Sequence, residues 1–151
     1  MTLVVYRSFM PATPETLFEL HMDAANLPLI SPPFPPVTLL SQPKRAEVGD
    51  LQLIRMGFSR FGLTWHARIT RVVVGKLLED IQERGPFRRW RHQHRVASSP
   101  GGSVLSDVVS FRLIPTPAGE FLEYFLVRPL ILAMFRVRHR RSRGILMHHK
   151  V

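Results

Sequence analysis

Between Arg88 and Ala97 the chain alternates two kinds of side chain that cannot share an environment, and this stretch limits the fold more than any other. Arg89, Arg91, Gln93 and Arg95 fall on one parity; Trp90, His92, His94 and Val96 fall on the other. An extended strand turns successive side chains to opposite faces. The stretch therefore reads as a strand over residues 88–97, with its long polar side chains in water and its tryptophan and two imidazoles facing a core. A one-residue slip would put the arginines inside, so the pairing register is strongly fixed.

The neighbouring strands inherit that constraint. Residues 103–114 carry Leu105, Val109, Phe111 and Leu113 on the inner parity, with Asp107 among them. The turn Ser99-Pro100-Gly101-Gly102 predicts a hairpin with His94 across from Asp107 and Trp90 across from Phe111. A two-residue slip keeps the faces and moves Asp107 opposite His92. In the preceding strand, 77–84, Asp80 or Glu79 lies opposite His92, depending on how tightly Gly85-Pro86 turns. Asp80 is the better fit, and it brings Leu78 and Gln82 to its side.

The rest of the chain completes the sheet. Thr2 to Phe9 is β-branched and aromatic, a strand. Thr13 caps a helix over 14–22 with Pro14 at its first position. A second short helix is expected over 23–29, capped by Asp23. Ser31-Pro32-Pro33-Phe34-Pro35-Pro36 is a stiff loop, and Phe34 is its lid candidate. Strands are expected at 37–41, 50–58 and 61–74, the last with Phe61, Leu63, Trp65, Ala67 and Ile69 inward. Short connections imply an antiparallel meander. A helix is expected over 119–143, with Phe121, Phe125, Leu132 and Phe135 on one face and a kink or fresh start near Pro129. Residues 144–151 read as a loose tail. The fold class is α+β, one domain over 1–151: a curved antiparallel sheet of six to seven strands wraps the long C-terminal helix around an apolar pocket.

The run Leu78-x-Asp80-x-Gln82-x-x-Gly85-Pro86-Phe87-x-x-Trp90-x-His92-x-His94, then Gly101-Gly102 and Asp107, resembles one bacterial branch of the SRPBCC superfamily, the START-like, polyketide-cyclase-like domains. Phe9-x-x-x-Thr13-Pro14-Glu15-x-x-Phe18 is similar to their opening strand and helix. The resemblance implies the helix-grip fold with an apolar cavity. Where Leu78 stands the family pattern carries an aromatic, so the pocket is slightly enlarged here. The resemblance assigns no catalytic role to His92, His94 or Asp107.

Buried polar groups need partners, so the inward histidines and carboxylates fit three readings: a structural network, the polar end of a ligand pocket, or a catalytic or metal site. The leading expectation is a pocket for a small hydrophobic or amphipathic molecule, lipid-like or polyketide-like. Its walls are Trp65, Trp90, Leu105, Val109, Phe111, Phe125 and Phe135; its polar groups are Asp80, Gln82, His92, His94 and Asp107. A cyclase or dehydratase using His92, His94 and Asp107 for acid–base work is the alternative. His-x-His with a carboxylate is also a possible zinc arrangement, but the expectation is no metal and no other cofactor. Motifs for nucleophile triads, phosphate loops and dinucleotide binding are absent.

The net charge is +10, nearly all from arginine. Arg136, Arg138, Arg140, Arg141 and Arg143 point around the whole helix rather than forming one reading face, so nucleic acid is not expected, and weak association with an anionic membrane is the weaker alternative. Nothing specific sets the oligomeric state. The chain has no cysteine and no signal-peptide pattern at its N-terminus, so a cytoplasmic location is expected.

Overall fold

Seven strands form one antiparallel, curved sheet in the order β1-β7-β6-β5-β4-β3-β2, in a computed structural model that describes residues 1–148. The strands are β1 (Thr2–Met10), β2 (Val37–Leu39), β3 (Leu51–Met56), β4 (Leu63–Val73), β5 (Leu77–Arg84), β6 (Arg89–Ser99) and β7 (Gly102–Arg112). Strands β2 to β7 follow one another as a meander, and β1 closes beside β7. Helices α1 (Pro14–Met22) and α2 (Leu27–Ile30), with a 3₁₀ turn between them, follow β1. The C-terminal part is α3 (Pro117–Leu122), a π-helical turn (Glu123–Val127) and the long α4 (Arg128–His148).

Local chemistry explains these boundaries. Thr13 Oγ1 accepts from the Thr16 N–H at 3.2 Å and Pro14 opens α1. Asp23 accepts from the Ala25 N–H at 3.0 Å, which stops α1 and starts the 3₁₀ turn. Between β6 and β7, Pro100 followed by Gly101 at φ 78° suits a type II turn, which needs glycine at its third residue. The register is the expected one: His94 pairs with Asp107, Trp90 with Phe111, and Asp80 with His92. Register irregularities in β4, between His66 and Ala67 and between Ile69 and Arg71, bend the sheet.

The inner layer has two apolar clusters with a polar belt between them. One cluster contains Leu17, Phe18, Leu78, Val96, Leu105 and Leu146. The other contains Val4, Trp90, Val109, Phe111, Ile131 and Phe135. On β6 the order is Trp90, His92, His94, Val96; on β7 it is Phe111, Val109, Asp107, Leu105; on α4, Arg138, His139 and Ser142 lie between Phe135 and Leu146. Every one of these belt residues is buried. Each element thus carries the same apolar–polar–apolar sequence, and stacking three such elements aligns the belt.

Several expectations need correction. Phe61 is not an inward strand residue: it sits in a 3₁₀ turn (Ser59–Phe61) and is 84% exposed. Leu63, at the start of β4, is also exposed. Gln93 lies on the outer face but is buried, because its side chain donates to Glu79, which also accepts from Thr70 and Arg91. Phe121 and Phe125 leave the inner face. Pro129 has no N–H for the Phe125 carbonyl, the Arg128 N–H bonds back to Glu123 instead, and the wider turn shifts the helical phase. Glu123 takes the inner position and accepts from Thr2 Oγ1 and the Leu113 N–H, both at 2.7 Å. The tail expected from 144 is helical through His148; residues 149–151 lie outside the described residues.

Candidate functional site

Between the sheet, α1, α2 and α4 lies a cavity of about 550 Å³. Most of its wall is apolar: Leu20 from α1, Ile30 from α2, Ile54 from β3, Trp65, Ala67 and Ile69 from β4, Leu78 from β5, Trp90 from β6, and Ile131 and Met134 from α4. Phe87, between β5 and β6, closes an aromatic corner with Trp65 and Trp90; its ring centroid lies 5.6 Å and 4.9 Å from theirs. The ionisable wall groups are His21, Asp23, Asp80, His92, His94 and Arg138, and Asp23 is exposed at the surface.

Asp107 organises the polar belt from behind the wall. It is fully buried. Its Oδ1 lies 3.1 Å from His92 Nε2 and its Oδ2 lies 2.7 Å from His139 Nε2. His94 Nδ1 is 2.6 Å from Oδ1 but lacks hydrogen-bond direction, so that contact is one of charge and proximity. The other nitrogen of His92 faces Asp80 at 3.5 Å. Beyond Asp107, Ser8 Oγ lies 2.6 Å from His139 Nδ1. Ser8, His139 and Asp107 are thus in line, an alignment sequence motifs did not reveal. None of the three lines the cavity, so the arrangement orients a carboxylate rather than presenting a nucleophile.

These contacts set the protonation states. Burial depresses the His92 imidazole, but hydrogen bonds to Asp107 and Asp80 outweigh it and raise the pKa to about 9. Burial, and next the His92 cation, push His94 down. Burial and His94 lower His21 to about 3. Burial would raise Asp107, yet the close approach of His94 and the hydrogen bonds of His139 and His92 hold it well below the usual carboxylate range. At neutral pH the wall therefore shows an imidazolium, His92, whose ring centroid is 4.1 Å from the neutral His94. The arrangement can donate a proton from one and accept one at the other.

Arg138 is the remaining charge. It is 8% exposed, lines the cavity, and its Nε has no hydrogen-bond partner. Its Nη2 reaches Ser31 Oγ at 3.4 Å. Asp80, His92 and His94 could each offer one atom to a metal ion, the three atoms lying within 4.8 Å of one another. The same side chains already serve the hydrogen-bonded belt.

Of the expected site residues, Trp65, Asp80, Trp90, His92 and His94 line the cavity. Asp107 stands behind the two histidines. Gln82 is not in the wall; its Nε2 donates to the Phe87 carbonyl at 2.6 Å and so holds Phe87 in place. Leu105, Val109, Phe111 and Phe135 are fully buried in the solid clusters and are corrected from wall to core. Phe125 is 62% exposed for the reason given above. Phe34 is 75% exposed, 6.2 Å from the Phe58 ring, and covers no wall position. Sequence reasoning missed Arg138, His139 and Ser31. Arg138 and His139 sit in an arginine-rich run that points around the whole helix, so no spacing singles them out as buried. His21 shares the inner stripe of α1 with Leu17 and Phe18, a spacing that was legible.

Residues 10–135 match the family described as polyketide cyclase / dehydrase and lipid transport. No curated protein matches the chain's sequence. Among solved structures, a protein of Chromobacterium violaceum aligns with a TM-score of 0.73 at 16% identity, over 95% of this chain and 96% of its own. One from Rhodobacter sphaeroides aligns at 0.76 and 15% identity, over 99% and 95%. Ara h 8.0201 aligns at 0.70 and 11% identity, over 97% and 98%. At these identities the likeness is one of fold. No helix of the described residues is long and apolar enough to cross a membrane.

Proposed function

We propose that this chain, which belongs to the polyketide cyclase / dehydrase and lipid transport family, binds a small hydrophobic or amphipathic molecule in the cavity beneath its sheet. The supporting observation is the cavity itself. Its volume of about 550 Å³ falls within the ~300–1,000 Å³ span of small-molecule sites, and its apolar wall with a few convergent polar groups is the usual chemistry of such sites. The chain's two tryptophans, Trp65 and Trp90, both stand in the wall. Intrinsic fluorescence therefore reports directly on occupancy. Titration with long-chain acids, alcohols and phenolic polyketides should give a saturable change for at least one class. Absence of any response, together with native mass spectra free of adducts, would refute the reading.

A second reading, proton transfer of a cyclase or dehydratase kind, is favoured by the His92–His94 pair. Two like groups with opposed pKa shifts suit acid and base roles. Here His92 would donate and His94 would accept, with Asp107 as the positioning residue. Incubation with phenolic and poly-β-keto substrates tests it by product mass. Turnover that His94→Gln abolishes while binding persists would support it; binding without turnover in the wild type would remove it.

A further inference from the structure

We infer that the molecule held in the cavity carries a carboxylate on an apolar body, and that Arg138 receives that carboxylate; the inference rests on the binding reading above. A guanidinium keeps its charge under any ordinary condition and offers five N–H donors. Burial lowers the Arg138 pKa, which reflects how poorly solvated the group is. A buried charge is normally paired. Among the described residues, no carboxylate lies within salt-bridge distance of Arg138. Asp107 and Asp80 influence it only from a distance.

Those two carboxylates are already engaged. Asp107 is shared by His92, His94 and His139, and Asp80 faces His92. Neither has a reason to turn toward Arg138. The guanidinium therefore has no directly paired carboxylate: its Nε is buried without a partner, and its Nη2 makes one long bond to Ser31 Oγ. The Ser31 hydroxyl in turn donates to the Leu27 carbonyl at 2.6 Å. The same wall carries Leu27, Ile30, Ile131 and Met134, with the neutral rings of His21 and His94 near enough to feel the guanidinium charge. A charged pair formed in such surroundings is stronger than in water.

The charge selects the ligand class. A neutral molecule leaves Arg138 unpaired, and an ammonium is repelled by Arg138, whereas the His92 charge is already offset by Asp80 and Asp107. A doubly charged phosphate brings one negative charge more than the single guanidinium offsets, into a wall that already holds Asp80. One carboxylate matches one guanidinium fork.

The test compares decanoate, decanol, decylamine and decyl phosphate, which share one chain, by tryptophan fluorescence. Wild-type protein, Arg138→Met and Arg138→Lys are used. The wild type should bind decanoate roughly tenfold tighter than decanol, as a charge-assisted bond requires. Arg138→Met should erase that preference while decanol affinity persists, and Arg138→Lys should retain part of it. Equal wild-type affinity for acid and alcohol overturns the inference, as does an Arg138→Met protein that still prefers the acid or a wild type that prefers the phosphate. If Arg138→Met does not fold by circular dichroism, the wild-type ratio decides alone. If none of the four compounds binds, the inference falls, while the binding reading is decided separately by the wider titration that includes phenolic polyketides.

Discussion

Replacing Asp107 by asparagine removes the anion that His92, His94 and His139 share, and leaves a cation beside a neutral amide in a dry environment. Breaking a buried pair in this way costs about 3–5 kcal/mol, so Asp107→Asn should lower the urea unfolding free energy by about that amount. The pH response follows from the same residues. The folded His92 pKa of about 9 lies above the ordinary 6.5, so its contribution is complete below about 6.5 and lost as pH rises through 9. His21, lowered to about 3, and His94, also lowered, act in the opposite sense: their contribution is present above about 6.5 and lost as pH falls. Melting temperature should therefore peak near neutrality and fall on both sides. His92→Gln should flatten the alkaline side and, by removing the cation that helps to depress His94, also soften the acid side. At this scale the sequence was legible wherever strand parity decides: His92, His94, Asp80 and Asp107 stand where alternation puts them. It was illegible for Arg138, because no periodic rule separates a buried guanidinium from the exposed and half-buried arginines of the same run.

Helix α4 and the turn before it show why the C-terminal element was read only in part. Its existence and inner residue Phe135 follow from helical spacing. Phe125 does not, because a single proline changes the hydrogen-bonding of the preceding turn and rotates everything upstream. The arginines beyond Phe135 hid the end of the helix. Arg141 donates to the Leu29 carbonyl at 2.8 Å and Arg143 to the Phe9 carbonyl at 3.0 Å, so two cations of the arginine-rich run tie α4 to the rest of the fold. The helical state of residues 144–148 can be checked with Gly144, where an added Cβ meets nothing within 4 Å. In a helix interior alanine is favoured over glycine by about 0.5–1 kcal/mol. Gly144→Ala should raise stability by that amount in chemical denaturation; no gain would mean that the segment is not helical.

For the whole molecule, the sheet curves around a space that its two apolar clusters do not fill. Where the clusters end, the polar belt begins, and the cavity opens against that belt. Meander order, hairpin register and the grip of the C-terminal helix were all readable, because short turns permit few alternatives. Which buried aromatics pack together and which face a void was not readable, since Phe111 and Trp90 obey the same parity and differ only in their neighbours in space. The net charge of +10 is likewise spread among helix-anchoring arginines, the outer strand face and one buried group, rather than gathered on one surface.

The central claim is that this space receives a molecule, and a crystal structure of the protein soaked with decanoate tests it most directly. The account predicts continuous density in the cavity, lying against Trp65 and Trp90 and ending on the Arg138 guanidinium. A cavity closed by repacked side chains, or decanoate bound only on the outer surface, would contradict it.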